Sequence, residues 1–512
     1  TRKRGRLPLD KIKETCIIIL LLNLLIIPIS SNIFSVKASF QSLYESKDSI
    51  KIVIDGNVEF TTAANQQGWP GDGTESSPFQ MKDLNIDFPY ELQIHNTGLH
   101  FRFTNNIIIT DEETSNIYFA LFLGNVSNGE FSNNQVTGFL NDPAVDIVNS
   151  QDIIIRDNII SHRGGIGISL FNSSNILVER NFISNQEQSI DLFDSKNITI
   201  TENSFQHHLL GLVFAGDLES VQITNNDFVN SSIDTSSFGN FGVNITGNTV
   251  NEKILLVWRN QSNKVVPDNV GQVVLINSSN IEVSNQQFSN YGIFAYQSSL
   301  LQIQQNKFEK IKQTAINFES TNLSVITHNI IKDNEVSGFS ARDSYNNSVT
   351  YNNITLNKAG GIKISRSKEF LISNNTIDQN SGTGITLILS HKNKIEFNLI
   401  TQNKYNGIYL VKSNETEIID NQISKNLMNG IELYESYSNT IRDNQIFDNE
   451  GESIWEGYNI YFQSSTNFNM ITNNTIYGNK NDPSSSISIP FWIMVISMFT
   501  LGIIVENRRK RR

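Results

Sequence analysis

The chain has 512 residues, 38% of them hydrophobic, and a formal net charge of −12 at pH 7. Both ends are basic, so the body between them is more acidic than the whole chain, and an acidic body argues against nucleic acid as a partner. The single cysteine, Cys16, lies in an N-terminal apolar run, which excludes disulfides and thiolate chemistry from the body.

The N-terminus has the pattern of an export signal. Six Lys/Arg residues within positions 1–13 precede an apolar run at 16–29, as in the basic and hydrophobic regions of signal peptides. The V-K-A sequence at 36–38 offers a cleavage site after small residues. We therefore predict that residues 1–38 are a signal peptide or, if they are not cleaved, an N-terminal anchor helix.

The C-terminus has the pattern of a membrane span. Residues 487–505 are apolar, and as a helix they would reach about 28 Å, enough to cross a bilayer core. The basic tail at 506–512 is then cytoplasmic by the positive-inside rule. This predicts a single-pass cell-membrane protein whose repeat region is extracellular. The Pro-led apolar run with its basic cluster also resembles archaeal surface-sorting tails, which are processed and replaced by a lipid.

Residues 39–104 are predicted to form an N-terminal cap and the first coils of a solenoid. A strand-like I-K-I-V-I segment at 50–54 precedes a D-G-N turn, and a turn-rich loop follows at 69–74. Beyond it, apolar and polar residues alternate as they do in strands. A cap is needed because an open solenoid end exposes both core and strand edges. The external region shows no sustained helical period.

From residue 105 to residue 486 the chain is organised by a repeat. An Asn followed two positions later by Ile or Phe returns every 23 residues at Asn306, Asn329, Asn352, Asn375, Asn398, Asn421 and Asn444. The same anchor occurs at steps of 22–24 residues between Asn134 and Asn248, and residues 250–280 form an excursion from the pattern. A short strict period predicts a solenoid with one coil per repeat.

The unit itself predicts a parallel β-helix. Alternation such as I-x-L and I-x-V places every second side chain on one face, and about 23 residues hold three short strands. The anchoring Asn suits a corner, where it tolerates left-handed φ and forms amide ladders between coils. A Gly nine residues later, as at Gly384, suits a tight turn.

The motif N-x-I-x-x-N-x-x-x-G-I-x-L-x-x-S resembles the repeats of right-handed parallel β-helix proteins. The resemblance is to the NosD-like (periplasmic copper-binding-type) branch of the pectate-lyase-like superfamily, it covers residues 50–480, and it extends to archaeal members. It implies an all-β, single-stranded right-handed solenoid and an archaeal surface protein. It does not select a function, because this fold hosts lyases, hydrolases, epimerases and non-enzymes.

Pectate-lyase-type chemistry needs an acidic cluster for Ca²⁺ and an Arg or Lys base. Asp157, Arg180 and Glu202 stand directly before the anchoring Asn at steps of 23 and 22, so they fall in one column; Asp191 and Asp194 lie nearby. These five are the candidate catalytic residues, and a ladder of solvated charges is the favoured alternative. No cofactor is required, and Ca²⁺ is the possible metal.

A copper site would need clustered Met, His or Cys, and the sequence does not supply one. His207 and His208 are adjacent, so on a strand their side chains would point to opposite faces. We therefore predict a binding or structural role at the cell surface, with extracellular glycans or cell-envelope proteins as partners. The alternative is a polysaccharide lyase, epimerase or hydrolase. A binding site or an active site is expected where the repeat length becomes irregular, near residues 134–280.

Overall fold

The computed structural model describes residues 52–87, 92–109, 119–139, 143–208, 210–233, 242–457 and 468–482. The predicted signal peptide or anchor (1–38), membrane helix (487–505) and basic tail (506–512) lie outside these residues. Within the described ranges, no helix has both the length and the apolar character needed to cross a bilayer. The described residues belong to one compact unit, Ile50–Arg512.

The described residues form parallel strands that stack coil on coil, as the repeat predicts. Alternation sets which side chains are inside: Ile153 and Ile155 are buried, whereas the intervening Ile154 faces outward. Each inward residue stacks on its equivalent in the next coil, as Ile153 does on Ile176. The coils make two stacks, which we call the N-terminal stack (residues 52–250) and the C-terminal stack (residues 253–482).

The N-terminal stack has two sheets of its own, A and B, which share the long strand β7. Sheet A contains β1 (Ile52–Asp55), β4 (Leu92–Thr97), β7 (Leu121–Ser132), β9 (Val145–Val148), β12 (Ile166–Phe171), β15 (Gln188–Phe193) and β18 (Leu210–Ala215). Sheet B contains β2 (Phe79–Lys82), β5 (Phe101–Thr104), β7, β10 (Gln151–Arg156), β13 (Ser174–Glu179), β16 (Lys196–Thr201), β19 (Val221–Thr224) and β21 (Val243–Thr246).

Sheet C runs through both stacks. Its N-terminal part contains β3 (Asn85–Asp87), β6 (Ile107–Ile109), β8 (Gln135–Phe139), β11 (Ile159–Arg163), β14 (Phe182–Ser184), β17 (Ser204–Gln206), β20 (Asp227–Val229) and β22 (Thr249–Val250). Its C-terminal part contains β23 (Lys253–Arg259), β25 (Val270–Ile276), β28 (Ile293–Tyr296), β31 (Ile316–Glu319), β34 (Phe339–Arg342), β37 (Ile362–Ser365), β40 (Ile385–Ile388), β43 (Ile408–Val411), β46 (Ile431–Tyr434) and β49 (Ile454–Gly457).

Sheets D and E complete the C-terminal stack and contain ten and nine strands. Sheet D contains β24 (Ser262–Val265), β26 (Ser279–Ser284), β29 (Gln302–Gln304), β32 (Val325–Thr327), β35 (Ser348–Thr350), β38 (Leu371–Ser373), β41 (Lys394–Glu396), β44 (Glu417–Ile419), β47 (Thr440–Arg442) and β50 (Met470–Thr472). Sheet E contains β27 (Gln287–Asn290), β30 (Lys307–Ile311), β33 (Ile330–Lys332), β36 (Asn353–Thr355), β39 (Thr376–Asp378), β42 (Leu399–Thr401), β45 (Gln422–Ser424), β48 (Gln445–Phe447) and β51 (Thr475–Tyr477).

One helix departs from the strand pattern expected at the N-terminal end. Helix α1 (Asn57–Gln67) ends at Gly68, whose left-handed φ of 70° closes the last turn. Its buried Phe60 ring lies 5.3 Å from the Phe79 ring and 5.4 Å from the Phe101 ring. The helix buries only Phe60 and Ala64 one turn apart, so the sequence carries no sustained helical period to predict it.

Residues 250–280 contain the point where the chain passes from one stack to the other. Strand β23 pairs antiparallel with β22 through a hairpin, whereas β20 and β22 are parallel. The two turn residues, Asn251 and Glu252, both have left-handed φ (49° and 65°), as the favoured two-residue hairpin turn requires. The strands of sheet C therefore run in opposite directions before and after this turn.

Sheet C is a shared wall between two cores. On β25 and β28, Val274 and Phe294 pack into the core of the N-terminal stack, and their neighbours Val273 and Ile293 pack into the core of the C-terminal stack. The strand direction and the side that faces the coil axis therefore both reverse at the hairpin. Reversing both leaves the sense of winding unchanged, so the same coil geometry serves both stacks.

The anchoring Asn residues form the predicted amide ladders. Asn352, which is 3% exposed, donates to Asn375 Oδ1 (3.1 Å) and accepts from the Asn329 side chain (2.9 Å). The expectation that the anchor itself has left-handed φ is wrong. The left-handed residue is the one before it, such as Asn374 (φ 56°), because the anchor's side chain must point inward.

The recurring glycine has a different cause from the tight turn that the sequence suggested. Gly384 has no positive φ, so its backbone suits other residues. A Cβ at this position would lie 2.6 Å from the Gly407 carbonyl oxygen and 2.7 Å from Ile400 Cγ2. The glycine is therefore required because adjacent coils approach too closely there for any side chain.

Candidate functional site

Three of the predicted site residues do form a column. Asp157, Arg180 and Glu202 occupy the same corner between sheets B and C in successive coils, and all have left-handed φ (51–56°). Each directly precedes a ladder Asn, as Asp157 precedes the buried Asn158. The register expected from the 23- and 22-residue steps is therefore present in the structure.

Arg180 is held by acidic neighbours. Its Nε lies 2.8 Å from Asp157 Oδ1, its Nη2 lies 3.0 Å from Asp157 Oδ2, and its Nη1 lies 2.9 Å from Glu179 Oε2. The hydrogen bond from Arg180 holds the pKa of the Asp157 carboxyl below its usual range, and the same contacts raise the pKa of the guanidinium. The guanidinium thus has two carboxylates as partners, which is the environment of a structural ion pair.

The ion pairs continue along sheet B. Arg156 Nη2 lies 2.6 Å from Glu130 Oε1 and Arg156 Nη1 lies 3.9 Å from Glu179 Oε1, while Arg102 Nε lies 3.1 Å from Glu130 Oε2. With Asp157 and Arg180 this network holds three arginines and three carboxylates, so its formal charges cancel. It matches the alternative of a solvated charge ladder, which is worth little stability per pair.

The other two candidates lie elsewhere. Asp191 is on the outward face of sheet A, where it is in register with Ser169, and burial raises the pKa of its carboxyl. Asp194 is at the corner between sheets A and B and accepts a hydrogen bond from the Asp217 backbone N–H (2.8 Å). The five predicted residues are therefore divided among three places. Within the described ranges, no three His, Cys, Asp or Glu side chains are grouped to hold a metal ion.

The adjacent histidines differ in environment. His207 is exposed and has left-handed φ (61°), whereas His208 is 2% exposed. The His208 ring nitrogens lie 2.9 Å from the Ile183 carbonyl oxygen and 3.3 Å from the Gln186 carbonyl oxygen. Burial lowers the pKa of His208 to about 4. The ring is therefore neutral near pH 7 and acts as a backbone-binding side chain at a corner.

A cleft lies beside the junction of the two stacks. The cleft has a volume of about 490 Å³. Gln272 on its wall accepts a hydrogen bond from the Ser232 hydroxyl of the N-terminal stack. We call it the junction cleft and define it by Gln272, Gly292, Phe294, Gln313, Thr314, Asn317, Glu319, Ser340, Arg342 and Lys363.

Charged side chains line the junction cleft on successive strands. Glu319 and Arg342 are directly in register on β31 and β34, and Lys363 follows on β37, in register with Ser340. The described residues include no ion pair between Glu319 and Arg342; the Arg342 guanidinium lies instead 3.6 Å from Asp343, outside the cleft. The cleft therefore presents one carboxylate and two cations.

The cleft continues along the outward face of sheet C. One column of this face, which we call the outer track, contains Asn317, Ser340, Lys363, Thr386, Tyr409, Glu432 and Trp455. Its six steps span about 29 Å at the spacing of paired strands. Burial raises the pKa of the Tyr409 phenol, and the neighbouring Tyr434 is 40% exposed. The aromatic members of the track, Tyr409 and Trp455, therefore lie in its C-terminal half, with Glu432 between them.

The sequence carried only a partial signal for this region. The prediction that a site lies where the period slips does include Gln272. The cleft residues from Gln313 onward belong to regular coils, where outward positions vary freely without disturbing the period. Parallel pairing of successive strands in sheet C stacks them along one cleft, and the hairpin at Asn251 and Glu252 joins this part of sheet C to the N-terminal stack, whose Ser232 hydroxyl contacts Gln272.

These coils, their corner ladders and the face of sheet C define a parallel β-solenoid. The family model described as "Right handed beta helix region" matches residues 92–254 and 239–388, together more than half of the chain. The chain belongs to this right-handed β-helix family. The model described as "Periplasmic copper-binding protein (NosD)" matches residues 359–492, which confirms the NosD-like resemblance; neither match bears on an archaeal origin.

Solved structures also match, at low similarity. The periplasmic alginate epimerase AlgG has 12% identity and a TM-score of 0.34, covering 85% of this chain and 84% of that chain. The A-module of the Azotobacter vinelandii mannuronan C-5 epimerase AlgE4 has 12% identity and a TM-score of 0.26, covering 74% and 91%. The Dettilon tailspike protein has 13% identity and a TM-score of 0.28, covering 64% and 61%. Similarity at this level says nothing about activity. The comparison with curated proteins gave no match.

Proposed function

We propose that this protein binds an extended carbohydrate chain at the cell surface, along the junction cleft and the outer track. The observation that carries the proposal is the outer track itself, a continuous column that combines hydrogen-bonding side chains with the aromatic Tyr409 and Trp455. Sugar rings have apolar C–H faces that pack on aromatic rings, and hydroxyl rims that hydrogen-bond to amides and carboxylates. Because the column has one side chain on each successive strand, it favours a linear polymer over a compact ligand.

The test is titration of the full-length protein with glycans selected on an array. Tyr409→Ala and Trp455→Ala are each expected to weaken binding about tenfold, because buried aromatic contacts dominate binding energy. Tyr351→Ala is the matched control: Tyr351 is 55% exposed but lies at the corner between sheets D and E, away from the outer track. Equal effects of Tyr351→Ala and Tyr409→Ala would contradict the proposal.

An enzymatic role is the second candidate function. The observation that favours it is Glu319, a carboxylate that lines the junction cleft with Arg342 and Lys363 and could act as an acid or base. The same titration decides between the two roles if the bound glycan is recovered and its length and uronate absorbance are measured, with and without Ca²⁺. If Glu319→Gln abolishes cleavage, the active site is at the junction cleft. If only Arg180→Ala abolishes cleavage, the active site is at the corner between sheets B and C.

We also propose that the repeat region is extracellular and held to the membrane by residues 487–505. The support is the apolar run with its basic tail, the basic and apolar N-terminus, and the periplasmic description of the NosD family. Deleting residues 487–512 is expected to release the protein from the membrane fraction into the medium, measured by fractionation and immunoblotting. Retention of the truncated chain in the membrane would assign anchoring to residues 1–38 instead.

A further inference from the structure

We propose that Arg342 and Lys363 make the junction cleft selective for a saccharide that carries an anionic group. This inference rests on the proposed glycan-binding function and names the class of glycan. Arg342 and Lys363 lie on adjacent strands, offset by two residues, because Ser340 pairs with Lys363 and Arg342 with Ser365. Their Cα atoms are thus about 8 Å apart, so both side chains can reach one ligand group.

Both cations are available to a ligand. Lys363 is exposed, and among the described residues it has neither an ion pair nor a side-chain hydrogen bond. The Arg342 side chain is 54% exposed, and its one ion pair, to Asp343, is long at 3.6 Å. By contrast, neighbouring Lys358 is paired with Glu335 at 2.5 Å. The two cleft cations thus keep most of their hydrogen-bonding capacity.

The charge of the junction cleft is opposite to that of the molecule. The chain carries −12, whereas Glu319, Arg342 and Lys363 together give the cleft a formal charge of +1. A concave cleft concentrates such a field and attracts an anion locally, although the acidic body repels a densely charged polymer such as a nucleic acid. The favoured ligand is therefore a saccharide chain with an isolated carboxylate or sulfate.

Glu319 adds a second element of selection. It is in register with Arg342 but the two form no ion pair, so its carboxylate lines the same cleft as an acceptor. A sugar hydroxyl can donate to Glu319 while the anionic substituent of the same or the next sugar is bound by Arg342 and Lys363. This arrangement places the anion at the junction end of the outer track and the neutral ring faces towards Tyr409.

The test compares three probes on the full-length protein. The first is a uronate oligosaccharide, and the second is the same oligosaccharide with its carboxylates reduced to alcohols. The third is an oligosaccharide of neutral sugars that carries sulfate groups. We expect the uronate or the sulfated probe to bind about tenfold more tightly than the reduced one at low salt, and this preference to fall as salt is raised. Which anionic probe binds better identifies the anion.

Variants localise the effect. Lys363→Gln and Arg342→Gln are each expected to reduce the anionic preference, the ratio of the affinity for the charged probe to that for the reduced probe, about fivefold. Lys358→Gln, which removes the same charge outside the cleft, is the matched control. Equal binding of charged and reduced probes, or equal effects of Lys358→Gln and Lys363→Gln, overturns the anion selectivity but not glycan binding. Failure of all three probes to bind, together with silent Tyr409→Ala and Trp455→Ala variants, overturns both proposals.

Discussion

Replacing Asn352 by alanine is expected to lower the free energy of unfolding by about 3 kcal/mol or more. The Asn352 side chain makes five hydrogen bonds inside the stack: it accepts from the Asn329 backbone and side-chain N–H groups, and it donates to the carbonyls of Ile326 and Thr350 and to Asn375 Oδ1. Alanine would leave several of these buried groups without partners, which costs more than the bonds themselves contribute.

The adjacent Asn353 is the matched control for this prediction. Asn353 faces outward on β36 and is exposed, and its side chain makes no hydrogen bond with any described residue. Asn353→Ala is therefore expected to change stability by less than about 0.5 kcal/mol. Urea denaturation followed by circular dichroism, with both variants on the full chain, measures the difference. Similar midpoints for the two variants would show that the ladder does not stabilise the stack.

The second large effect is a loss of stability at acid pH caused by His208. Its folded-state pKa of about 4 lies below the ordinary value of 6.5, because burial disfavours the imidazolium. As the pH falls from about 6.5 to about 4, the unfolded chain takes up a proton that the folded chain does not. The stability present above pH 6.5 is lost through this window, by about 3 kcal/mol in total.

His208→Asn should flatten this part of the stability profile. In the C-terminal stack the position that corresponds to His208 is occupied by Asn, as at Asn380. Asn380 Nδ2 donates to the Ile354 carbonyl one coil earlier (3.1 Å), just as the His208 ring contacts the Ile183 carbonyl. Asn does not titrate, so the variant keeps its stability between pH 6.5 and 4. His207→Asn, at the exposed left-handed position beside it, should retain the wild-type slope. Parallel slopes for His208→Asn and the wild type would contradict the assignment.

The two predictions concern the same structural device at different corners. In both, a side chain enters the interior at the end of a strand and binds backbone groups that the corner leaves unpaired. Asn does so with a neutral amide at every pH. His208 does so with a ring that must stay neutral, so this corner of the N-terminal stack is more sensitive to acid.

The ladders show how far local sequence can predict structure. Asn352 and its equivalents recur at a fixed step because each must bind the backbone of the coil before it and the Asn side chain of the coil after it. That requirement is periodic, so the position and burial of the anchors could be predicted from spacing alone. The reason for the recurring glycine at Gly384 could not be predicted, because it depends on how closely Gly407 and Ile400 of the next coil approach.

The predicted catalytic column shows the same division. Spacing placed Asp157, Arg180 and Glu202 in one column, and the structure has that column. Spacing could not show that Arg180 bends back to Asp157 and Glu179. Whether a charged column is an open site or a closed ion-pair network depends on side-chain directions and on the neighbouring coil.

The sequence by itself determined the solenoid: the period of two sets the inward faces, the period of 23 sets the register, and the recurring Asn sets the corners. Only the tertiary structure decided where the chain reverses and what the reversal creates. The reversal depends on two left-handed residues, Asn251 and Glu252, in a hairpin that belongs to no repeat. At the wall of the junction cleft, Ser232 of the N-terminal stack contacts Gln272 of the C-terminal stack, and no local pattern records a contact of that kind because its energy comes from packing between coils.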